Sequence, residues 1–231
     1  MLDAVIFDFN GVLVDDEALH LRGFNAALAP HNLSVSTEDY EARYLGFDDR
    51  GAFEAMLRDA GRPVNEATLR ALIDDKAVAY ERMAAAELRV FPGAAALLRA
   101  VAEAVPVAIV SGALRREIEF ALTLMGCEAH VCEVVAAEDV AACKPDPEGY
   151  RAGLAALRER WPAVDPAGVV VIEDSPAGVE AAVGAGLSVV GVAHTYGADV
   201  LLGAGAARVF DVVGAIDVPT LASLTLRSRN L

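Results

Sequence analysis

Cysteine, lysine and aromatic residues are scarce in this sequence. Three of its 231 residues are cysteine, an odd number, and they show none of the paired spacings of a metal-binding motif. We therefore expect reduced thiols, and neither a disulfide framework nor a zinc site. The first residues lack the basic segment and the cleavage site of a secretory leader, which favours a cytoplasmic protein.

Long, purely apolar runs are also lacking. The stretch 181–198 carries no formal charge, but it contains four glycines together with Ser188, His194 and Thr195. This composition is more typical of a helix end, a turn and a buried strand than of a membrane-spanning helix. We therefore expect no membrane association.

Basic residues are few relative to acidic ones: 19 against 34, a formal net charge of -15. This balance argues against nucleic-acid binding, because a phosphate backbone would be repelled. A small phosphorylated ligand would need a local cation, either a metal ion or a few placed basic side chains. The hydrophobic fraction of 55% excludes a disordered chain, and nothing in the sequence demands more than a monomer.

Short apolar runs alternate with helix-like segments. The predicted strands are Ala4–Phe7, Val105–Val110, Val131–Val135, Val169–Ile172, Ser188–Val192 and Arg208–Phe210. The predicted helices between them are Gly93–Glu103, Arg115–Met125, Pro147–Arg160 and Ala177–Ala185. Continuous apolar strands covered on both faces indicate an α/β fold with a doubly wound, Rossmann-like parallel sheet.

One block interrupts this alternation. Residues 15–85 contain no convincing strand, and their pattern predicts helices at Asp16–Leu28, Ser36–Tyr44, Gly51–Asp59 and Glu66–Met83. We therefore expect an α/β core formed by residues 1–14 and 86–231, with an all-α helical cap inserted at 15–85.

Polar residues follow three of the apolar runs, at the strand ends where open α/β sheets bind ligands. They are Asp8 and Asn10, then Ser111 and Gly112, then Glu173, Asp174 and Ser175. The chain has only two lysines, and one of them, Lys144, precedes a helix in a Lys-Pro-Asp-Pro turn. Carboxylates, a hydroxyl and a compact ammonium converging there would hold a hard divalent cation beside a phosphoryl group.

These motifs resemble those of the haloacid dehalogenase superfamily. The resemblance rests on the segments 8–13 (Asp-Phe-Asn-Gly-Val-Leu), 144–147 and 173–175 together with Ser111, in that order and at suitable spacing. The helical insertion after the first motif is similar to the cap of the β-phosphoglucomutase and phosphoglycolate phosphatase branch.

The resemblance implies a role for each core residue. Asp8 would be the nucleophile that forms an aspartyl-phosphate, and Mg²⁺ would be held by Asp8, Asp174 and the main-chain carbonyl of Asn10, with Glu173 nearby. The phosphoryl oxygens would be held by Ser111 and the amides around Gly112, and Lys144 would neutralise charge. We also expect Ser111 to cap the following helix.

Asn10 departs from the family pattern, which usually has an aspartate at this position. An amide cannot exchange protons as a general acid and base, a loss that typically costs about 10²–10⁴-fold in rate. Another group, with His20 or Asp15 nearest in sequence, could take over this role. Alternatively, Asn10 could be a replacement that stalls the enzyme, or the protein could bind phosphorylated ligands without efficient turnover.

The insertion contributes four candidate substrate-binding residues by the same resemblance. They are His20 in the hinge segment, Gly46 and Arg50 in a substrate loop, and Lys76. The sequence therefore predicts a Mg²⁺-dependent phosphatase that hydrolyses a small phosphorylated metabolite, such as a sugar phosphate, with activity attenuated by Asn10. The alternatives are a β-phosphoglucomutase-like phosphomutase and a stalled or non-catalytic phospho-ligand-binding protein.

Overall fold

The computed structural model describes residues 1–226, which form two compact units. Unit 1 comprises 1–15 and 90–226, and unit 2 comprises 16–89. The insertion expected from the sequence, 15–85, starts one residue earlier and ends four residues earlier than unit 2. The difference at its end arises because the last helix of unit 2 continues to Glu87.

Unit 1 is built on a six-stranded sheet in which every neighbouring pair is parallel. Its strands are β1 (Ala4–Phe7), β4 (Val107–Val110), β5 (Glu133–Val135), β6 (Val169–Glu173), β7 (Ser188–Val192) and β8 (Arg208–Phe210). Two further short strands, β2 (Val14–Asp15) and β3 (Arg89–Val90), form a separate pair. The order across the main sheet is β5-β4-β1-β6-β7-β8, which confirms the predicted doubly wound α/β fold.

The helices of unit 1 cover this sheet. They are α5 (Ala94–Ala102), α6 (Arg115–Met125), α7 (Glu148–Arg160), α8 (Pro176–Gly184), α9 (Ala198–Ala204) and α10 (Val218–Ser223). All residues of β1, β4, β6 and β7 are buried, as expected for strands covered on both faces. Because the chain places strands on both sides of β1, the carboxyl ends of β1, β4 and β6 border the crevice in which such sheets bind ligands.

Unit 2 is all-helical. It contains α1 (Glu17–Leu28), α2 (Thr37–Arg43), α3 (Asp49–Asp59) and α4 (Glu66–Glu87). Three of these helices begin at a side chain that accepts a backbone N–H bond: Ser36 before α2, Asp48 before α3 and Asn65 before α4. The rings of Phe24 and Phe53 meet edge to face at 5.0 Å within its apolar core.

The predicted elements differ from the observed ones mainly at their ends. Strand β4 begins at Val107 rather than Val105, because Pro106 has no N–H to donate to a sheet. Two short helices, α9 and α10, were not predicted. Among residues 1–226, no helix combines the length and apolar character needed to cross a bilayer.

Candidate active site

The core site lies at the carboxyl ends of β1, β4 and β6 in unit 1. The structure brings together there the six side chains that the sequence assigned to catalysis and metal binding: Asp8, Asn10, Ser111, Lys144, Glu173 and Asp174. Asp8 directly follows β1, Ser111 directly follows β4, and Glu173 is the last residue of β6. These strands are neighbours, so residues more than one hundred positions apart in the chain come within contact distance.

Lys144 bridges two carboxylates. Its Nζ donates to Asp8 Oδ1 and to Glu173 Oε1, both at 2.6 Å. Its side chain is 18% exposed, whereas that of Glu173 is fully buried and that of Asp8 nearly so. Ion pairs with this little solvent are screened weakly, so Lys144 is held close to the carboxylate of Asp8.

Glu173 binds donors with both of its carboxylate oxygens. Besides Lys144, Oε1 accepts from the hydroxyl of Tyr150 at 2.9 Å. Oε2 accepts from the backbone N–H groups of Asp174 and Ser175 at 2.8 and 2.9 Å, and from the Ser175 hydroxyl at 3.1 Å. A Cβ at Gly178 would overlap this carboxylate, so glycine is required there. Glu173 therefore fixes the loop after β6 and the position of Lys144.

Burial and like charge perturb the acids of the site. Burial, with a further contribution from Glu173, raises the pKa of Asp8 to about 7 even though Lys144 lowers it. The pKa of Asp174 is raised well above its usual value by burial and by the charges of Glu173 and Asp8. Burial alone would lower the pKa of Lys144, but the charges of Asp8 and Glu173 outweigh it and raise that pKa.

Asp174 faces the turn that follows β1. Its Oδ2 accepts a hydrogen bond from the Thr195 hydroxyl, and a Cβ on Gly11 would overlap the same carboxylate. Gly11 also has a φ of +74°, which a residue with a side chain adopts only under strain. The glycine of the first motif thus allows the turn and the carboxylate to come into contact.

Asn10 and Ser111 interact directly. The Ser111 hydroxyl donates to Asn10 Oδ1 at 3.3 Å and accepts from the backbone N–H of Ala113 at 3.1 Å. The prediction that Ser111 caps α6 is wrong, because the N-cap of this helix is Leu114, three residues later, and the helix itself begins at Arg115. The Ser111 hydroxyl instead fixes the loop containing Gly112, an exposed residue.

Three buried acids of the site have oxygens close enough to share a cation. Oxygens of Asp8, Glu173 and Asp174 lie within 4.8 Å of one another. Lys144 pairs with two of them, Asp8 and Glu173, so the three ionised acids and the ammonium together carry two negative charges in excess. Carboxylate oxygens are the ligands that Mg²⁺ prefers, so the donor set and its charge both fit a divalent magnesium ion.

The other four candidate residues belong to unit 2. Buried His20 has Nε2 at 3.2 Å from Asp16 Oδ2, which also accepts from the Tyr80 hydroxyl. Lys76 is fully buried, with Nζ at 2.9 Å from Asp49 Oδ1. A buried ammonium needs such a partner, so Lys76 is a paired, buried cation of unit 2.

Arg50 and Gly46 lie at the surface of unit 2. The Arg50 guanidinium is about half exposed and pairs with Glu66 and, at 3.4 Å, with Glu54. Exposed Gly46 has a φ of +82° in the loop before α3. Arg50 is thus a surface residue of α3 with acidic partners on its own unit.

Sequence reasoning missed three residues around the core site. Tyr150 on α7 binds Glu173, Thr195 binds Asp174, and His194 binds the carbonyl of Gly11 at 2.8 Å. Tyr150 resembles a core aromatic in its helix. His194 and Thr195 follow β7, so inspection of the polar residues after every strand, and not only after three of them, would have found both.

Comparison with known proteins agrees with this geometry. The family model for "haloacid dehalogenase-like hydrolase" matches residues 2–186, which include all six core site residues. The chain belongs to this family. Its relatives include a validoxylamine A 7'-phosphate phosphatase from Streptomyces hygroscopicus subsp. limoneus, 32% identical over 87% of this chain and 90% of that protein.

Two further members extend the comparison. A phosphorylated carbohydrates phosphatase from Thermotoga maritima is 29% identical over 84% of this chain and 87% of its own length. Among solved structures, an aspartate-to-asparagine variant of CbbY from Rhodobacter sphaeroides, in complex with xylulose-1,5-bisphosphate, superposes with a TM-score of 0.84. It is 26% identical, and the match covers 96% of this chain and 99% of that one. The present chain, whose family includes these named phosphatases, is an enzyme of the phosphatase class.

Proposed function

We propose that this protein is a Mg²⁺-dependent phosphatase that hydrolyses a small phosphorylated metabolite through an aspartyl-phosphate on Asp8. The observation that carries the proposal is the buried Asp8 carboxylate, held at 2.6 Å by the Lys144 ammonium within a cluster of three acids. This arrangement presents a nucleophilic oxygen beside fixed positive charge, which aspartyl-phosphate formation requires.

Asp8 and Asp174, together with the main-chain carbonyl of Asn10, would hold the magnesium ion. Glu173 already accepts five hydrogen bonds, so we assign to it the positioning of Lys144 and of the loop that carries Asp174. When bound, the ion supplies positive charge that attracts the phosphoryl group and stabilises the ionised form of Asp8. Burial raises the pKa of Asp8 to about 7, and a divalent cation beside it would lower that pKa.

The chemistry follows in two displacements at phosphorus. A carboxylate oxygen of Asp8 forms a bond to phosphorus as the bond between phosphorus and the leaving oxygen of the substrate breaks. The leaving oxygen then takes up a proton. Water next attacks the aspartyl-phosphate, gives up a proton and releases inorganic phosphate and the Asp8 carboxylate. Lys144 stays paired with Asp8 through both steps, and Ser111 with the amides around Gly112 would bind the phosphoryl oxygens.

We expect Asn10 to lower the rates of both displacements. Its side chain can neither protonate the leaving oxygen nor deprotonate water, and its Oδ1 already accepts from Ser111. We therefore propose slow turnover with retained ligand and metal binding. His20 and Asp15 remain the proposed substitutes for the missing acid and base.

The substrate would be a phosphorylated carbohydrate or a related polyol. Relatives named for validoxylamine A 7'-phosphate and for phosphorylated carbohydrates support this class. His20, Gly46, Arg50 and Lys76 remain proposed determinants of the leaving group.

A stalled binding protein is the second candidate, and Asn10 is the observation that favours it. The CbbY variant that was solved with a sugar bisphosphate carries an asparagine in place of an aspartate, so such a replacement is compatible with holding a phosphorylated ligand in a relative.

The deciding experiment is Mg²⁺-dependent phosphate release from a panel of sugar phosphates and sugar bisphosphates, comparing this chain with its Asn10→Asp variant. We expect kcat to rise about 10²–10⁴-fold in the variant, because it regains an acid and base beside Asp8. Asn10→Ser is the matched control, since it changes the same side chain without adding a titratable group.

Asp8→Ala in both backgrounds tests the nucleophile and should abolish release. Activity that survives Asp8→Ala would contradict the aspartyl-phosphate route. If neither this chain nor Asn10→Asp turns over any substrate, while vanadate or a substrate analogue still binds with Mg²⁺, the binding-protein candidate replaces the phosphatase. Transfer of the phosphoryl group to another carbon, with no release, would instead indicate the phosphomutase.

A further inference from the structure

His194 lies in the loop after β7, at the back of the turn that carries Asn10 and Gly11. Both of its ring nitrogens have backbone partners within unit 1. The Gly11 carbonyl lies 2.8 Å from Nδ1, and the backbone N–H of Val213 points at Nε2 at 3.3 Å.

These partners determine the state of the ring. A carbonyl only accepts and a backbone N–H only donates, so Nδ1 carries the proton and Nε2 is the acceptor. The two ring nitrogens therefore have fixed and different hydrogen-bonding roles. Its face stacks on Phe91 with the ring centroids 3.8 Å apart and an interplanar angle of 21°.

Backbone hydrogen bonds connect the partners of this ring to the rest of the turn. The backbone N–H of Phe91 donates to the Leu13 carbonyl at 3.0 Å, and that of Gly11 donates to the Val14 carbonyl at 2.9 Å. The residue before His194 is bonded to the sheet, because the backbone N–H of Ala193 donates to the Phe210 carbonyl of β8 at 2.8 Å. His194 thus joins the first motif to the sheet through a short path of hydrogen bonds.

The neighbouring residue completes this link. The Thr195 hydroxyl donates to Asp174 Oδ2, and Gly11 lies directly against that carboxylate. The dipeptide His194–Thr195 therefore bonds both partners of this contact, the Gly11 turn and the Asp174 carboxylate.

We propose that His194 is a positioning residue of the phosphoryl-transfer site, which sets the distance between the Asn10–Gly11 turn and the Asp174 carboxylate through its bond to the Gly11 carbonyl. This inference rests on the proposed function, since that turn and that acid would share the metal ion. Residues that orient ligands from outside the coordination sphere typically affect metal affinity or activity about 10–100-fold.

The test compares His194→Phe, His194→Asn and wild type by calorimetric Mg²⁺ titration and by steady-state kinetics. Phe retains a ring against Phe91 but removes the donor, whereas the Asn amide places a donor near the position of Nδ1. We expect about 10–100-fold weaker Mg²⁺ binding and a lower kcat in His194→Phe, with KM little changed, and substantial recovery in His194→Asn. His31→Phe makes the same substitution at an exposed histidine of unit 2 and should match wild type in both assays.

A ¹⁵N spectrum of the metal-free protein gives a readout independent of activity. It should show a proton on Nδ1 of His194, and a ring that carries its proton only on Nε2 would overturn the proposal. Wild-type Mg²⁺ affinity and kcat in His194→Phe, even with a lowered Tm, would also overturn it. If His194→Phe does not fold, His194→Gln replaces it, because its longer amide does not coincide with Nδ1.

These outcomes separate the two proposals. If the wild-type protein binds Mg²⁺ and releases phosphate and the His194 variants do so equally well, only the role of His194 is contradicted. Wild-type protein that does neither contradicts the proposed function itself.

Discussion

Asp8 combines two properties that conflict in the absence of a metal ion: it is buried, and its chemistry requires a charge. Burial raises its pKa from 3.8 to about 7, so the native state binds a proton that the unfolded chain has already released between these values. This group therefore lowers the stability of the metal-free protein as the pH rises from about 4 through 7. A bound cation favours the ionised carboxylate and removes this penalty.

Mg²⁺ affinity should consequently depend on pH. We expect it to increase from about pH 6 to about pH 8, with release of protons on binding, because protons compete with the ion for Asp8 and Asp174. Calorimetry in buffers of different ionisation enthalpy measures both quantities. Asp8→Asn should bind Mg²⁺ more weakly and with a smaller pH dependence, and an affinity that is constant over this range in wild type would contradict the prediction.

Residue identities at this scale were largely readable from the sequence, but their partners were not. Asp8, Lys144 and Asp174 stand out because they follow buried strands or precede a helix, and the structure brings them together. One of the five donors to Glu173 is the hydroxyl of Tyr150, which the sequence of its helix would predict to be an ordinary core residue. Only the tertiary structure distinguishes an acid that is free to bind a cation from one that holds its neighbours in place.

At the scale of elements, α8 begins inside the core site. Ser175 is its N-cap and accepts from the Gly178 N–H at 3.1 Å, and the same hydroxyl donates to Glu173. Helix α4 of unit 2 has a comparable cap, since Asn65 accepts from the Thr68 N–H at 2.9 Å. The two caps are therefore comparable, but only the cap of α8 also donates to a residue of the core site.

We expect Ser175→Ala and Asn65→Ala each to lower the free energy of unfolding by about 0.5–2 kcal/mol, the usual effect of losing an N-cap. Only Ser175→Ala should also lower kcat, because Glu173 then loses a donor that fixes the position of Lys144. Urea unfolding followed by circular dichroism and phosphate-release assays provide the two measurements. An equal kcat in both variants would argue that the cap of α8 is independent of catalysis.

Element prediction succeeded where apolar runs are continuous and failed where elements are short. Strands β1, β7 and β8 have the predicted bounds, as does helix α6. Helices α9 and α10, with seven and six residues, are too short to show a helical period. The loop between β7 and α9 carries His194 and Thr195, and no apolar period marks its position in the sequence.

At the scale of the whole molecule, the net charge of -15 opposes the approach of an anionic substrate. At an ionic strength of 0.1 M the Debye length is about 10 Å, so added salt largely screens this repulsion at longer distances. Contacts inside the buried site are screened much less. At saturating Mg²⁺ we therefore expect kcat/KM to increase as NaCl is raised from about 10 mM to about 150 mM, mainly through a lower KM. A kcat/KM that falls over this range would indicate a positively charged approach path.

The sequence by itself determined the fold class, the order of the motifs and the acids and lysine of the core site. It could do so because buried parallel strands require continuous apolar runs, and the residues that end these runs meet at one edge of the sheet. The tertiary structure alone decided which of these groups bind one another: Glu173 is enclosed by donors, Asp174 contacts Gly11, and His194 reaches across 183 positions to the turn of the first motif. These relations depend on distances between side chains on different strands and loops, which no local pattern encodes.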